Sequence, residues 1–378
     1  MIWNIISWIL VIHWSIISLF VLIGLIGFLF YKSKKSNNKA TNYEITIVSK
    51  ASLNVKNALF MCLKNNLKNY KDISLVIDQG AELENEVKNY CKKNNITLYI
   101  VPKSFKTKAI AKGRAIQYFI ETNVNDLSKW YILIDDDNLI CDDTFLYEIN
   151  YYDKMNYGAF NAVIKPKRTS SNITFIADFL RYFDDLTIFR FGTGLLGVPL
   201  NGMHGELLGV KGSVLKRIGF NRNTITEDFS FSRELIKNHI KTWQSETIIS
   251  ILSPHNIHDF VKQRKRWFKG NSKDVLTAPL PMKIFAGIKI YDWYIGIIGC
   301  WISLPLWFIL PFSIPLWLKI FSSIGMIYYI FVYLYGSLKY TKGLWKLGFL
   351  LTPLFSIMEN FSPHYWKGSK NGFDVIKK

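Results

Sequence analysis

The run Trp130-Tyr131-Ile132-Leu133-Ile134-Asp135-Asp136-Asp137 decides how this chain is read. Five apolar residues without polar alternation mark a buried strand, and the acids mark its end. Three carboxylates directly after such a strand are electrostatically costly unless a cation compensates them. On an extended chain Asp135 and Asp137 point to one side, with Asp136 opposed. Two hard oxygen ligands suit Mn²⁺ or Mg²⁺, with phosphate oxygens and water completing the shell. The same acids also suit an exposed turn that opens a helix. Taken alone, the triplet leaves both readings open.

Outward from this strand, short apolar runs at 44–48, 73–77 and 96–101 alternate with helix-period stretches near 53–69, 81–93 and 108–121. That alternation predicts an α/β domain with a mostly parallel sheet covered on both faces. Ligands of such sheets sit beyond the carboxyl ends of the strands, which directs attention to Lys50, Asp78, Lys103 and the acidic triplet. Downstream, Ile225-Thr226-Glu227-Asp228-Phe229 opens another helical pattern. Asp228 there could simply complement the helix dipole. Gln263-Arg264-Lys265-Arg266-Trp267 closes a helical stretch from 257. A basic cluster of this kind suits a lipid surface, while its Trp and Arg would also suit a clamp on a sugar diphosphate.

The ends of the chain differ from the middle. Residues 2–31 carry no formal charge and exceed the roughly 20 apolar residues that span a bilayer. Lys32, Lys34, Lys35 and Lys39 follow before any acid, which predicts a cytosolic domain after the span. A signal peptide would need a basic start and a cleavage site of small residues, and neither is present. A second apolar block divides into spans at about 290–310 and 317–338 around Pro311-Phe312-Ser313-Ile314-Pro315. The reading is therefore a transmembrane helix at 1–31, a basic linker at 32–42 and a catalytic domain at 43–256. Interfacial helices follow at 257–289, two transmembrane helices at 290–338 and an interfacial or re-entrant segment at 339–378. The formal charge of +19 invites a nucleic-acid reading. The lysines are scattered beside apolar segments, and no nucleic-acid motif accompanies them, so anionic membrane lipid is the expected partner. Cys62, Cys91, Cys141 and Cys300 form no CxxC or Cys/His cluster, which argues against a disulfide framework or zinc site.

An acidic DxD after a strand, a Glu-Asp pair and QxxRW before membrane helices together resemble the membrane-integrated family-2 glycosyltransferases. In order and spacing they are closest to the egghead-type β-1,4-mannosyltransferases. The blocks Lys112-Gly113-Arg114-Ala115, Phe183-Asp184-Asp185, Val210-Lys211-Gly212-Ser213 and Met358-Glu359-Asn360 extend the resemblance from residue 44 to the C-terminus. It implies a GT-A fold with Lys50, Asp78, Lys112 and Arg114 around the nucleotide of a nucleotide-sugar donor. Asp135 and Asp137 would hold Mn²⁺ or Mg²⁺ and the diphosphate, and Asp228 would be the catalytic base. Gln263, Arg266 and Trp267 would cover the donor, while Lys211, Gly212 and Glu227 would lie on the side of a lipid-linked sugar acceptor. The implied reaction is inverting transfer of mannose from GDP-mannose to a glycolipid such as glucosylceramide. Alternatives are a ceramide glucosyltransferase-like enzyme using UDP-glucose, a processive polysaccharide synthase and a membrane-anchored binding protein. One departure stands out: three Asp occupy the triplet, where the egghead pattern is closer to Asp-Glu-Glu. The enzyme would be an integral membrane protein with its catalytic domain in the cytosol.

Overall fold

The computed structural model describes residues 2–309 and 314–365, with the side chains of 300–309 excepted. Pro311, Phe312 and Ser313 of the expected turn, the Cys300 side chain and Lys367, Lys370, Lys377 and Lys378 lie outside those residues.

The chain opens with helix α1 (Ile2–Phe30) and then alternates β1 (Tyr43–Val48), α2 (Lys56–Leu67), β2 (Ile73–Asp78), α3 (Glu84–Asn94), β3 (Thr97–Val101), α4 (Ala111–Asn123) and β4 (Trp130–Asp135). These are the strands and helices that the apolar runs predict, with boundaries moved by a few residues. Beyond β4 come β5 (Leu139–Ile140), α5 (Thr144–Lys154), β6 (Tyr157–Lys167), α6 (Asn172–Ala177), α7 (Phe179–Asp184) and a wide-turn π-helical segment, Asp185–Leu195. Then follow β7 (Leu207–Lys211), α8 (Gly212–Ile218), α9 (Glu227–Lys237), β8 (Lys241–Leu252) and α10 (Ile257–Val275). The remainder is helical: α11 (Leu280–Ile309), α12 (Leu316–Tyr340), a 3₁₀ stretch at Gly343–Leu351 and α13 (Thr352–Phe361).

One eight-stranded sheet runs β3-β2-β1-β4-β7-β6-β8-β5. Strands β1 to β4 are mutually parallel, and β7 turns antiparallel against β4. Strand β4 shows why a continuous apolar run is required at the centre. Trp130, Ile132 and Ile134 enter one core layer, with Phe145, Phe160 and Trp243, while Tyr131 and Leu133 enter the layer on the opposite face, with Phe119 and Phe231. A third apolar cluster joins α6, α7 and α10 to α12 and α13, through Phe179, Phe260, Tyr333 and Phe355.

Two helices, Ile2–Phe30 and Leu316–Tyr340, are long and apolar enough to cross a membrane. The C-terminal half of α1 packs on the π segment. A Cβ built on Gly27 would lie 2.4 Å from the Phe191 backbone nitrogen, so only glycine admits this approach. The basic stretch at 32–42, expected as a linker, runs against α5. Its polar groups are strapped along α5: the amides of Ser36 and Ala40 donate to Tyr147 O (3.0 Å) and Leu146 O (2.8 Å), and Ser33 Oγ donates to Glu148.

Candidate active site

The carboxyl ends of β1, β2 and β4 carry Lys50, Asp78 and the acidic triplet to one edge of the sheet. Lys50 is exposed. Asp78 pairs with Arg114 of α4, whose guanidinium also donates to Pro102 O at 2.5 Å. Burial pushes the Asp78 carboxyl up, while Arg114 and Lys50 oppose it. Lys112, two residues earlier on α4, is the hub. Its Nζ lies 2.5 Å from Asp135 Oδ1 and 3.5 Å from Glu227 Oε1, and it donates to Gly205 O at 3.1 Å. Burial works against that charge, yet Asp135, Glu227 and Asp228 outweigh it and hold the ammonium above its ordinary range. The residue before Lys112, Ala111, has φ of +49°, and Ala51 after Lys50 has φ of +48°. Such left-handed backbone at non-glycine residues costs about 1–3 kcal/mol and clusters at functional sites.

Within the triplet the three acids meet different surroundings. Asp135 meets Lys112, Asp136 accepts from Ser49 Oγ at 2.6 Å, and Asp137 is buried at 1 % exposure. Among the described residues no group of three His, Cys, Asp or Glu side chains converges as a metal cage. The donor set still fits a divalent cation of the Mg²⁺ or Mn²⁺ type. Such ions are held by one or two carboxylates plus substrate phosphates, and a buried carboxylate beside a second one is unfavourable without a counter-charge.

Asp228 lies in the first turn of α9, where the helix dipole favours an anion. Its Oδ2 accepts from the Gly205 amide and its Oδ1 from the Phe229 amide, each at 2.8 Å. Gly205 threads between two functional groups: a Cβ there would stand 2.7 Å from Lys112 Nζ and 3.4 Å from Asp228 Oδ2. Burial, then the neighbouring Glu227 and Glu206 carboxylates, push Asp228 up to about 7, against the pull of Lys112. Asp135 bonds Lys112 directly and Asp228 is joined to it through Gly205, although the two acids lie 93 positions apart in the chain.

Asp228 also lines a cavity of about 280 Å³. Trp267 of α10 forms part of the wall, with the Arg181 guanidinium 4.6 Å and the Arg264 guanidinium 4.4 Å from its ring centroid. Arg264 is 2 % exposed, donates to Asp178 at 2.6 Å and Glu359 at 2.9 Å, and is accepted by Gln263 Oε1 at 2.8 Å. The α10 helix closes on α9 because Gly270 faces Thr226, whose Oγ1 would sit 2.4 Å from any Cβ. Arg266 is half-buried on the same helix. Below Trp267 lies a further polar group: Arg181 pairs with Glu206, and His204 pairs with Asp185 at 3.1 Å and Glu206 at 3.3 Å. Burial disfavours the His204 charge, but Asp185 and Glu206 outweigh it and carry the imidazole up to about 10.

Two expected acceptor-side residues belong elsewhere. Strand β7 runs antiparallel to β4, so Leu207 stands beside Ile134 while Lys211 stands beside Trp130, at the far end of the sheet from the triplet. Lys211 is bonded there to Asp153 at 2.7 Å, and Gly212 packs against the Asp126 backbone. The opposite end of β7 supplies Glu206 instead. Arg181, Asp185, His204, Glu206 and Arg264 were not singled out as site residues from sequence. Asp185 and Arg264 fall in the Phe183–Asp185 and Gln263–Trp267 blocks, and His204 and Glu206 in a polar run immediately before the apolar strand.

With this geometry in place, comparison with known proteins is informative. The family model described as Glycosyl transferase family group 2 matches residues 130–342. The β-1,4-mannosyltransferase egh of Drosophila melanogaster is 26 % identical over 354 residues, covering 86 % of this chain and 74 % of that protein. The β-1,4-mannosyltransferase bre-3 of Caenorhabditis elegans is 26 % identical over 303 residues, 74 % of this chain and 66 % of that one. Among solved structures, the mannosyltransferase PcManGT from Pyrobaculum calidifontis, in complex with GDP-Man and Mn²⁺, superposes with a TM-score of 0.59 at 12 % identity. That alignment covers 97 % of this chain and 100 % of the other, and it shows a shared GT-A fold.

Proposed function

We propose that this chain, which belongs to glycosyl transferase family group 2 and is a hexosyltransferase, moves mannose from GDP-mannose to a membrane glycolipid such as glucosylceramide, forming a β-1,4 bond. The observation that carries this reading is the Lys112 hub, which ties the diphosphate end of the site at Asp135 to the base end at Asp228. The likeness to mannosyltransferases among relatives and folds supports mannose as the sugar and GDP as its carrier.

The chemistry is a single in-line displacement with inversion. An acceptor hydroxyl oxygen attacks the anomeric carbon as the bond from that carbon to the diphosphate breaks, and the electron pair leaves with GDP. Asp228 takes the hydroxyl proton. A carboxyl pushed up to about 7 is a stronger base than an exposed aspartate, and it is ionised in about half of the molecules at neutral pH. Asp135 and Asp137 would hold Mn²⁺ or Mg²⁺, which when bound neutralises charge growing on the departing diphosphate. Lys112 binds Asp135 directly and is linked to Asp228 through Gly205, and it offers a positive charge beside the phosphates. Arg114, Asp78 and Lys50 lie where a nucleoside would rest, beyond the strand ends. Trp267, stacked on two guanidinium groups, forms a rigid platform at the sugar-bearing end.

The test is transfer by the purified full chain from labelled GDP-mannose or UDP-glucose, to glucosylceramide or ceramide, with Mn²⁺ or with chelator. Mannosylated glucosylceramide formed only with metal is the expected product. Glucosylceramide formed from UDP-glucose and ceramide would replace this reading with the glucosyltransferase one.

A further inference from the structure

The cavity that begins at Asp228 continues between the apolar helices. Its far wall is built from His13 and Trp14 of α1, Asp292 and Trp293 of α11, Tyr329 of α12 and Asn360 of α13. Building on the glycolipid reading above, we infer that this membrane-side half is the binding chamber for the acceptor's sugar, with the His13–Asp292 pair and the Trp14 indole recognising hydroxyls of a neutral carbohydrate headgroup.

Three independent observations carry the inference. The first is a buried ionisable pair on two apolar helices: His13 Nδ1 lies 2.6 Å from Asp292 Oδ1, with side chains 5 % and 14 % exposed. Such residues are costly within apolar segments, face bundle interiors or cavities, and mark substrate paths. Helix α11 is notched to admit them. A Cβ on Gly299 would lie 2.6 Å from the His13 ring, and one on Gly296 would lie 2.3 Å from Asn360. The second is an unspent donor. Trp14 is 6 % exposed, and its Nε1 has no acceptor among the described residues although the side chain lines the cavity. Buried donors are normally satisfied, so an unpaired indole N–H on a cavity-lining side chain leaves one hydrogen bond for a ligand oxygen to make.

The third is charge. The cations lining the cavity are already held by carboxylates: Arg181 by Glu206, Arg264 by Asp178 and Glu359, and Lys289 by Asp184 at 3.1 Å. A lipid bearing a phosphate would meet these spoken-for cations together with the Asp184 and Asp292 carboxylates. A sugar hydroxyl, by contrast, can donate to Asp292, because a carboxylate accepts several bonds. The aromatic faces of Trp14, Trp293 and Tyr329 supply the apolar lining usual for a small-molecule site.

The experiment measures binding by the full chain in nanodiscs. The probes are short-chain glucosylceramide, the matching ceramide and a polyprenyl phosphate, and the variants are Asp292→Asn and Trp14→Phe. Wild type should prefer glucosylceramide over both other lipids. Each variant should weaken glucosylceramide binding about tenfold while ceramide affinity holds, the loss expected for a buried hydrogen bond to a ligand. Melting temperature and GDP-mannose affinity report whether a variant is folded, and Trp14→Phe keeps the test alive should Asp292→Asn collapse. Equal affinity for ceramide, preference for the phosphate, or variants that lose both lipids in proportion would overturn the chamber and leave a helix clamp. Wild type that binds glucosylceramide but passes no mannose to it would sink the proposed function and leave the chamber standing.

Discussion

Asp228 is the residue on which pH dependence turns. It works as a base only when ionised, so acceptor transfer should rise with pH along a limb centred near 7. A limb near the ordinary carboxylate value, read from kcat/KM against pH, would show that burial does not act as described. The same shift has a consequence for stability. The folded carboxyl holds its proton more tightly than the unfolded one, so its contribution is present below the ordinary carboxylate range and is lost as pH rises through about 7. Asp228→Asn should therefore lose a factor of ~10²–10⁴ in transfer. It should also melt at a higher temperature than wild type at pH 8 and at a similar one at pH 5. At the other end of the site, Asp137→Ala should abolish the Mn²⁺-dependent part of GDP-mannose binding in calorimetry. Equal affinity with and without Mn²⁺ in wild type would remove the metal from the mechanism.

At the scale of elements, α10 is tied to the α6–α7 junction and to α13 through one buried cation. Arg264 bonds Asp178 at the α6–α7 junction and Glu359 on α13, while stacking on Phe260 and Trp267 of its own helix. Removing one partner of a buried ionic group strands the others, at a cost of about 3–5 kcal/mol. Arg264→Met should lower stability by about that amount in thermal or denaturant unfolding. A cost under ~1 kcal/mol would mean that the network is solvated like a surface pair. Within the QxxRW segment, Gln263, Arg264 and Trp267 share one side of the helix: Gln263 and Arg264 are buried, and Arg264 and Trp267 both line the cavity. Helix periodicity brings them together, since residues three and four apart are neighbours on one face.

For the whole molecule, two long apolar helices pack beside a globular α/β unit, and the cavity passes from one to the other. The lysines after α1 place that unit on the cytosolic side of the proposed topology. In sealed microsomes, protease added outside should cleave exposed loops of the 43–256 unit without detergent. Protection of those loops until the membrane is opened would reverse the orientation.

Much of this was legible in the sequence because it is local. Apolar runs of strand length and helix-period stretches determined the parallel half, β1 to β4 with α2 to α4, and the charges after β4 and at the start of α9 marked carboxylates that converge around Lys112 and Gly205. The mixed half, β5 to β8, was not anticipated, because β5 has only two residues and two of the intervening helices have six. The direction of β7 then decided that Glu206 faces the site and Lys211 does not. Convergence was likewise a tertiary matter. Lys112 meets Asp135 and Glu227, and His13 meets Asp292 across 279 positions, only after sheet order and helix packing bring their elements together. Periodicity states which face of an element is buried; what that face meets depends on partners remote in the chain.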